Sequence, residues 1–155
     1  MTHGQSTDSG SSARQAIILA HYRDKRFRNV NDVVGVLQVR QTRTCGDEVS
    51  IHMLCTEHSI SYIGFSGDGC SVSIASASIA CHALSGQPVA QARQTVSSVL
   101  RFLEEIEKGQ PVSEQGIPED MKAFIDLSSY PTRIACARLA WTAAAKLLEP
   151  GEFGD

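Results

Sequence analysis

Three cysteines and one aspartate constrain this fold most, because together they could form one metal site from distant parts of the chain. Cys45 and Asp47 flank a glycine in an extended segment, where residues i and i+2 point to the same side. Cys70 closes a glycine-rich turn, and Cys136 lies near the start of the last predicted helix. Three thiols and a carboxylate are a complete tetrahedral ligand set for one Zn²⁺ ion. Free cysteine is often buried, so spacing alone leaves open that each thiol is an ordinary core residue.

Composition and charge narrow the possible classes of function. The chain has 155 residues, which suits one domain with a real core. Its net charge of −3 argues against a nucleic-acid partner, because binding to a phosphate backbone needs clustered Lys and Arg. No apolar stretch is long enough for a membrane span, and the polar N-terminus lacks the apolar segment of a signal peptide. We therefore expect a cytoplasmic protein without a membrane partner.

The number and spacing of the cysteines point to metal or sulfur chemistry. Five cysteines at wide spacing do not suit a disulfide framework, and the cytoplasm keeps thiols reduced. Cys55 is in phase with the apolar residues of a predicted strand, which indicates a core role. Cys81 lies three helical turns after Cys70, too far along the axis to share an ion with it. Three histidines show no zinc-motif spacing and are expected at the surface or in hydrogen bonds: His52, His58 and His82.

The hydrophobic pattern predicts an α+β fold, a small antiparallel sheet of about three strands packed by several helices. Residues 33–66 alternate between apolar and polar side chains and have short connections, as in a meander of strands. Apolar residues then recur at helical spacing. The predicted helices are 13–21, 70–84, 89–108, 119–127 and a last one that starts at Pro131.

The expected domain covers residues 13–150. Residues 1–12 are rich in Ser, Gly and Thr and are expected to form a disordered tail. Residues 151–155 form a second, short tail.

Three motifs in order resemble the iron–sulfur cluster assembly scaffold superfamily typified by IscU and NifU. A His21-Tyr-Arg segment in the first predicted helix adds to the likeness, which runs from about residue 17 to 148. The motifs are Cys45-Gly-Asp47-Glu-Val, Gly67-Asp-Gly-Cys70-Ser-Val-Ser-Ile-Ala-Ser-Ala-Ser and Tyr130-Pro-Thr-Arg133-Ile-Ala-Cys136-Ala-Arg-Leu-Ala-Trp141.

Within that superfamily the chain is most similar to the SufU branch. IscU-like scaffolds carry a histidine beside the last cysteine, where this chain has Ala135. SufU-like proteins carry an insertion between the second and third cysteines, and residues 109–130 can supply it here. One departure precedes the first cysteine, where Arg43-Thr44 replaces the usual Asn-Pro of the family.

The resemblance implies a zinc-dependent sulfurtransferase that serves iron–sulfur cluster assembly. It implies that the Zn²⁺ ligands are Cys45, Asp47, Cys70 and Cys136. It also implies that Cys45 is the catalytic residue, which accepts persulfide sulfur from a SufS-type cysteine desulfurase. Downstream cluster-assembly proteins would be further partners.

Other functions fit the same residues. The four ligands could instead assemble a [2Fe–2S] cluster, because cysteine ligands suit such clusters. The site could also be a closed, structural zinc centre. A cysteine hydrolase that uses Cys70 would need a positioned base, and no sequence feature supplies one. Arg133 stands one helical turn before Cys136, so it could form a surface ion pair or favour a thiolate.

Overall fold

An antiparallel sheet packed by helices forms the α+β fold that the sequence predicts. The computed structural model describes residues 2–28, 36–42 and 46–150. Within these ranges, three strands lie in the order β1-β2-β3. The strands are β1 (Leu37–Thr42), β2 (Glu48–Thr56) and β3 (Ser59–Asp68), and the helices are α1 (Thr2–Arg23), α2 (Ser71–Leu84), α3 (Val89–Lys108), a 3₁₀ helix (Glu119–Ser129) and α4 (Pro131–Leu147).

The central strand β2 is buried on both faces, which the two-residue alternation in its sequence does not predict. Val49 to Met53 are all buried, and Ser50 and His52 are among them. The polar face tolerates burial because His52 Nε2 lies 2.9 Å from Ser66 Oγ on β3, at hydrogen-bond distance. A buried polar group is inexpensive only when it has such a partner.

Helix α2 packs closely because its side chains are small. Most of its residues are buried, and Ser and Ala dominate the first ten positions. The Ser76 hydroxyl donates to the Ala137 carbonyl of α4 at 2.7 Å and accepts from Trp141 Nε1 at 3.0 Å. Trp141 is fully buried and anchors α4 on α2 in the core.

The helix bounds follow the sequence signals closely in α3 and depart from them in α1. Helix α3 has the predicted bounds, and Gly109 ends it in the left-handed conformation, with φ of +68°. The predicted helix at 13–21 is longer, because α1 begins at Thr2. Residues 2–12, expected to form a disordered tail, are therefore helical, since adding a residue to an existing helix costs far less than nucleating one. Residues 151–155 lie outside the described ranges.

The short helix predicted at 119–127 is a 3₁₀ helix rather than an α-helix. Among the described helices, none combines the length and the apolar character that crossing a membrane requires.

Gly67 lets β2 and β3 approach each other at their ends. Its φ is +134°, and a Cβ built there would lie 2.1 Å from the backbone oxygen of Glu48. No side chain can occupy that space without moving the backbone of β2. The close pairing of the two strands at this end therefore depends on glycine.

Replacing Gly67 by alanine should destabilise the protein by about 3 kcal/mol or more, from the backbone clash and the unfavourable φ together. Gly86→Ala is the matched control, because its φ is +79° but nothing lies within 4 Å of the Cβ position. The control should lose only the ~1–2 kcal/mol cost of a left-handed residue. Urea unfolding measures both, and equal losses would contradict the role of the Glu48 contact.

Candidate metal centre

The register of β2 against β3 brings Asp47 to Cys70. Glu48 pairs with Asp68 at the end of the two strands, so the next residue on each side lies just beyond the sheet. Cys70 follows as the N-cap residue of α2. Its backbone N–H donates to Asp47 Oδ2 at 3.4 Å. Strand pairing alone therefore joins the first and second motifs.

A glycine makes room for this contact. A Cβ at Gly69 would lie 2.2 Å from Ser73 Oγ and 3.3 Å from Asp47 Oδ2. The Ser73 hydroxyl donates to the Cys70 carbonyl at 3.0 Å and so occupies this position in the first turn of α2. The Gly-Asp-Gly-Cys motif thus serves close packing between a strand end and a helix start.

Cys136 comes to the same place from α4. It is buried, and its neighbour Ala137 accepts the hydrogen bond from Ser76 that ties α4 to α2. The ligand atoms of Asp47, Cys70 and Cys136 all lie within 4.8 Å of one another. The structure therefore brings together three of the four predicted ligands.

The fourth predicted ligand, Cys45, lies outside the described residues, as does Arg43-Thr44. The described chain resumes at Gly46, which is exposed and has a φ of +102°. The assignment of Cys45 as ligand and sulfur acceptor stays a prediction.

The Asp47 carboxylate is held in its ionised form by donors around it. Burial alone would raise the pKa of Asp47, but the hydrogen bonds that its carboxylate accepts together lower it, those from the Cys136 thiol and the Cys70 backbone being the largest. The side chains of Cys70 and Ser73 lower the pKa further. Sequence reasoning missed Ser73, although a hydroxyl three residues after a helix N-cap is a recognisable signal for a local hydrogen bond.

Arg133 supplies positive charge at the mouth of the site. A hydrogen bond to the side chain of Cys70 and the charge of that thiolate raise the pKa of the guanidinium. Desolvation opposes this shift, and the charges of Cys136 and Asp47 add to it. Because Arg133 itself is exposed, its charge faces both the thiols and the solvent.

The donor set fits a zinc ion. Two thiols and a carboxylate are three ligands of the kinds that Zn²⁺ takes in proteins, and their spacing allows one ion to bind all three after a small contraction. Asp47 is a hard oxygen ligand beside two soft sulfur ligands, a mixture that borderline-soft Zn²⁺ accepts. Three such ligands plus one more complete a tetrahedron.

The remaining two cysteines lie elsewhere, as the sequence predicts. Cys81 is fully buried in α2, and burial raises the pKa of its thiol. Cys55 is half-buried at the end of β2 and packs against the core. A fully buried thiol such as that of Cys81 is inert, and Cys55 is at the opposite end of β2 from Asp47, so neither residue competes for the ion.

Fold and site together define a class, a small α+β domain that gathers thiols and a carboxylate at the end of its sheet. Residues 13–137 match the family model of the NifU-like N terminal domain, and the chain belongs to this family. The family lies within the superfamily of IscU- and NifU-type iron–sulfur cluster assembly scaffolds, as the sequence motifs indicate.

Two curated relatives span nearly the whole chain. The zinc-dependent sulfurtransferase SufU of Bacillus subtilis (strain 168) is 30% identical over 140 residues, covering 90% of this chain and 91% of that protein. The iron–sulfur cluster assembly scaffold protein IscU of Thermotoga maritima is 27% identical over 132 residues, covering 85% of this chain and 89% of that protein.

Solved structures support the fold. The SufU protein of Fervidobacterium islandicum AW-1 aligns with a TM-score of 0.70 at 24% identity, over 86% of this chain and 94% of that one. The N-terminal part of a NifU-like protein from Brucella abortus aligns with a TM-score of 0.68 at 21% identity, over 84% of this chain and 88% of that one.

We expect Cys70→Ala and Cys136→Ala to weaken zinc binding by more than about 100-fold, since loss of a direct ligand should exceed the 10- to 100-fold loss typical of outer-shell residues. Cys81→Ala is the matched control. It should keep its zinc while losing about 1 kcal/mol of stability to a small cavity. Elemental mass spectrometry after competition with a chelator measures the metal. Comparable zinc loss in all three variants would show that the ligand assignment is wrong.

Proposed function

We propose that this protein is a zinc-dependent sulfur carrier that accepts persulfide sulfur from a SufS-type cysteine desulfurase for iron–sulfur cluster assembly. The observation that carries the proposal is the convergence of Asp47, Cys70 and Cys136 at one end of the sheet. Similarity to a protein named zinc-dependent sulfurtransferase SufU, at 30% identity, favours zinc as the occupant.

The four residues that would hold the ion are Cys45, Asp47, Cys70 and Cys136. When bound, Zn²⁺ keeps its thiolate ligands deprotonated and adds no redox chemistry of its own, because it is a d¹⁰ ion. Cys136 is buried between α4 and the site, and Cys70 is half-buried at a helix start. Both are thus positioned by helices, which suits ligands that stay in place.

Cys45 is the thiol to which we assign the acceptance of sulfur. It precedes Gly46, where no atom of the described residues beyond its chain neighbours lies within 4 Å of a Cβ built on the backbone. The described end of this loop therefore faces open space, where a partner protein can reach it. Reactive cysteines need such exposure as well as a favoured thiolate.

The proposed transfer is a thiol–persulfide exchange. The Cys45 thiolate attacks the outer sulfur of the desulfurase persulfide, forming a new S–S bond on Cys45. The S–S bond within the desulfurase persulfide breaks, and the desulfurase cysteine leaves as a thiolate. The outer sulfur keeps its proton and its oxidation state, so the exchange needs no external oxidant or reductant.

Arg133 favours this exchange electrostatically. Anionic ligands in excess of the charge of one Zn²⁺ leave the site negative, and the desulfurase thiolate that leaves in the exchange adds negative charge beside it. The exposed guanidinium of Arg133, hydrogen-bonded to Cys70, offsets that repulsion at the mouth of the site.

The surface beside the site offers a place for the desulfurase to dock. A groove of about 500 Å³ runs between α1 and the starts of α2 and α4, and Ser71 and Arg133 line it. Leu19 and Tyr130 also line it and are exposed, at 43% and 61%. Exposed apolar side chains beside a reactive site are typical of protein–protein contacts.

A second candidate function is assembly of a [2Fe–2S] cluster on the same residues. The cysteines of the site favour it, and so does similarity to IscU of Thermotoga maritima, a named cluster assembly scaffold. Anaerobic purification followed by iron, sulfide and zinc analysis separates the two functions. One zinc per chain with no iron supports the carrier, whereas iron and sulfide in equal amounts support the scaffold.

Cys45 should gain the sulfur when the protein is mixed with its desulfurase and free cysteine. Peptide mass spectrometry would locate an added sulfur on Cys45. The unchanged protein should also accelerate turnover of the desulfurase, and Cys45→Ser should abolish that acceleration. Cys81→Ser serves as control and should behave like the unchanged protein, because Cys81 is fully buried. Added sulfur on Cys70 or Cys136 instead would refute the carrier role of Cys45.

Arg133→Gln should lower the rate of sulfur acceptance by about tenfold while zinc content stays unchanged, because charges that line a site change association rates 10- to 1000-fold. Arg133→Lys should recover part of the rate. Arg138→Gln is the matched control, since Arg138 pairs with Glu107 at 2.7 Å. An unchanged rate in Arg133→Gln would remove Arg133 from the mechanism.

A further inference from the structure

A second group of potential metal ligands lies at the C-terminal end of α1. His21 is in the last turn of α1, Asp24 follows that helix, and His82 is in the last turn of α2. Their ligand atoms all lie within 4.8 Å of one another, and His82 Nε2 lies 2.7 Å from Asp24 Oδ2. Tertiary packing joins these residues, since no zinc-motif spacing in the sequence connects them.

The Asp24 carboxylate is oriented toward this group. Its Oδ1 accepts the backbone N–H of Arg26 at 2.9 Å, and its Oδ2 accepts from His82 Nε2, so an ion shared by Asp24 and His82 would replace the hydrogen of that contact. The His82 ring is held in turn by an edge-on contact with Phe27, with ring centroids 4.8 Å apart. Ligands whose other atoms are fixed in this way bind metal with little loss of side-chain freedom.

The His21 ring has the partners of a metal-binding imidazole. Its Nε2 lies 2.7 Å from Asp120 Oδ2 and its Nδ1 lies 2.8 Å from Ser78 Oγ. A carboxylate only accepts, so Nε2 carries the hydrogen and Nδ1 accepts from the Ser78 hydroxyl of α2. Ser78 is one helical turn before His82, so Nδ1 faces the side of α2 that carries the second histidine, and an ion bound at Nδ1 would take the place of the Ser78 hydroxyl. A carboxylate that accepts from the far nitrogen is the usual companion of a ligating histidine.

We propose that His21, Asp24 and His82 bind a divalent transition-metal ion such as Zn²⁺. Two imidazole nitrogens and one carboxylate oxygen suit zinc, and a water molecule can complete the tetrahedron. The side chains of His21, Asp24 and His82 are 12%, 31% and 32% exposed, so an ion can enter and exchange. Without thiolate ligands this site binds zinc more weakly than the centre at Cys70.

Metal at this site would tie the end of α1 to the end of α2. Helix α1 also contributes Ile18 and Leu19 to the groove beside the candidate metal centre. An ion held by His21 would therefore stabilise the helix that forms one wall of that groove. The inference does not depend on the proposed sulfur transfer, because it rests on a separate set of residues.

Calorimetric titration of zinc into protein that already carries its first equivalent tests the proposal. We expect a second, weaker class of about one site in the unchanged protein. His82→Asn should weaken it by at least about tenfold, as loss of one of three ligands requires. His58→Asn is the matched control, because His58 is exposed in the turn between β2 and β3, and it should leave the second site unchanged.

Asp24→Asn provides a second variant, and hydrogen exchange provides a second measurement. The second equivalent of zinc should slow amide exchange in the last turns of α1, and neither His82→Asn nor Asp24→Asn should show that slowing. A single class of sites in the unchanged protein would overturn the proposal. Equal second-site binding in His82→Asn and His58→Asn would also overturn it and would indicate an adventitious ion.

Discussion

The Ser76 hydroxyl is the contact on which the geometry of the candidate centre depends. It donates to the Ala137 carbonyl and accepts from Trp141 Nε1, and all of these groups are buried. A buried polar group left without its partner costs ~1–3 kcal/mol, so the two helices are held in one relative position. Because α2 begins beside Cys70 and α4 carries Cys136, this contact sets the distance between the two thiols.

Across the candidate centre the residues become more exposed from Cys136 outward, and the positive charge of Arg133 lies on the exposed side. Cys136 is buried, Cys70 is half-buried, and Gly46 and Arg133 are exposed. Donors around Asp47 keep the pKa of its carboxyl lowered despite the cost of burial. A site built this way holds its inner ligands rigidly and leaves the positive charge of Arg133 open to solvent. That gradient suits the proposed exchange of a sulfur atom better than a closed structural site does.

Helix α1 connects this centre with the second group of ligands. Its middle turns line the groove beside Cys70, and its last turn carries His21. The hydrogen bonds of His21 to Ser78 and Asp120 dock the helix on α2 and on the 3₁₀ helix. A change in how the last turn of α1 packs therefore acts on the part of α1 that forms one wall of the groove.

Local patterns determined much of the fold. The apolar spacing of 89–108 set the bounds of α3, and the small residues after Cys70 predicted a closely packed α2. Three motifs located the candidate ligands, because glycines and helix starts are readable signals. Of these ligands, Asp47, Cys70 and Cys136 converge in the structure, while the part assigned to Cys45 stays a prediction.

Tertiary structure decided what no local pattern encodes. The two-sided burial of β2 comes from tertiary elements that pack over the sheet, α2 and α4 among them, and a local strand pattern does not record them. His21, Asp24 and His82 meet only because α1 docks on α2. The sequence by itself determined which elements form and which residues can bind metal. Packing decided which of them meet, because side chains far apart in the chain come together only once the core excludes water.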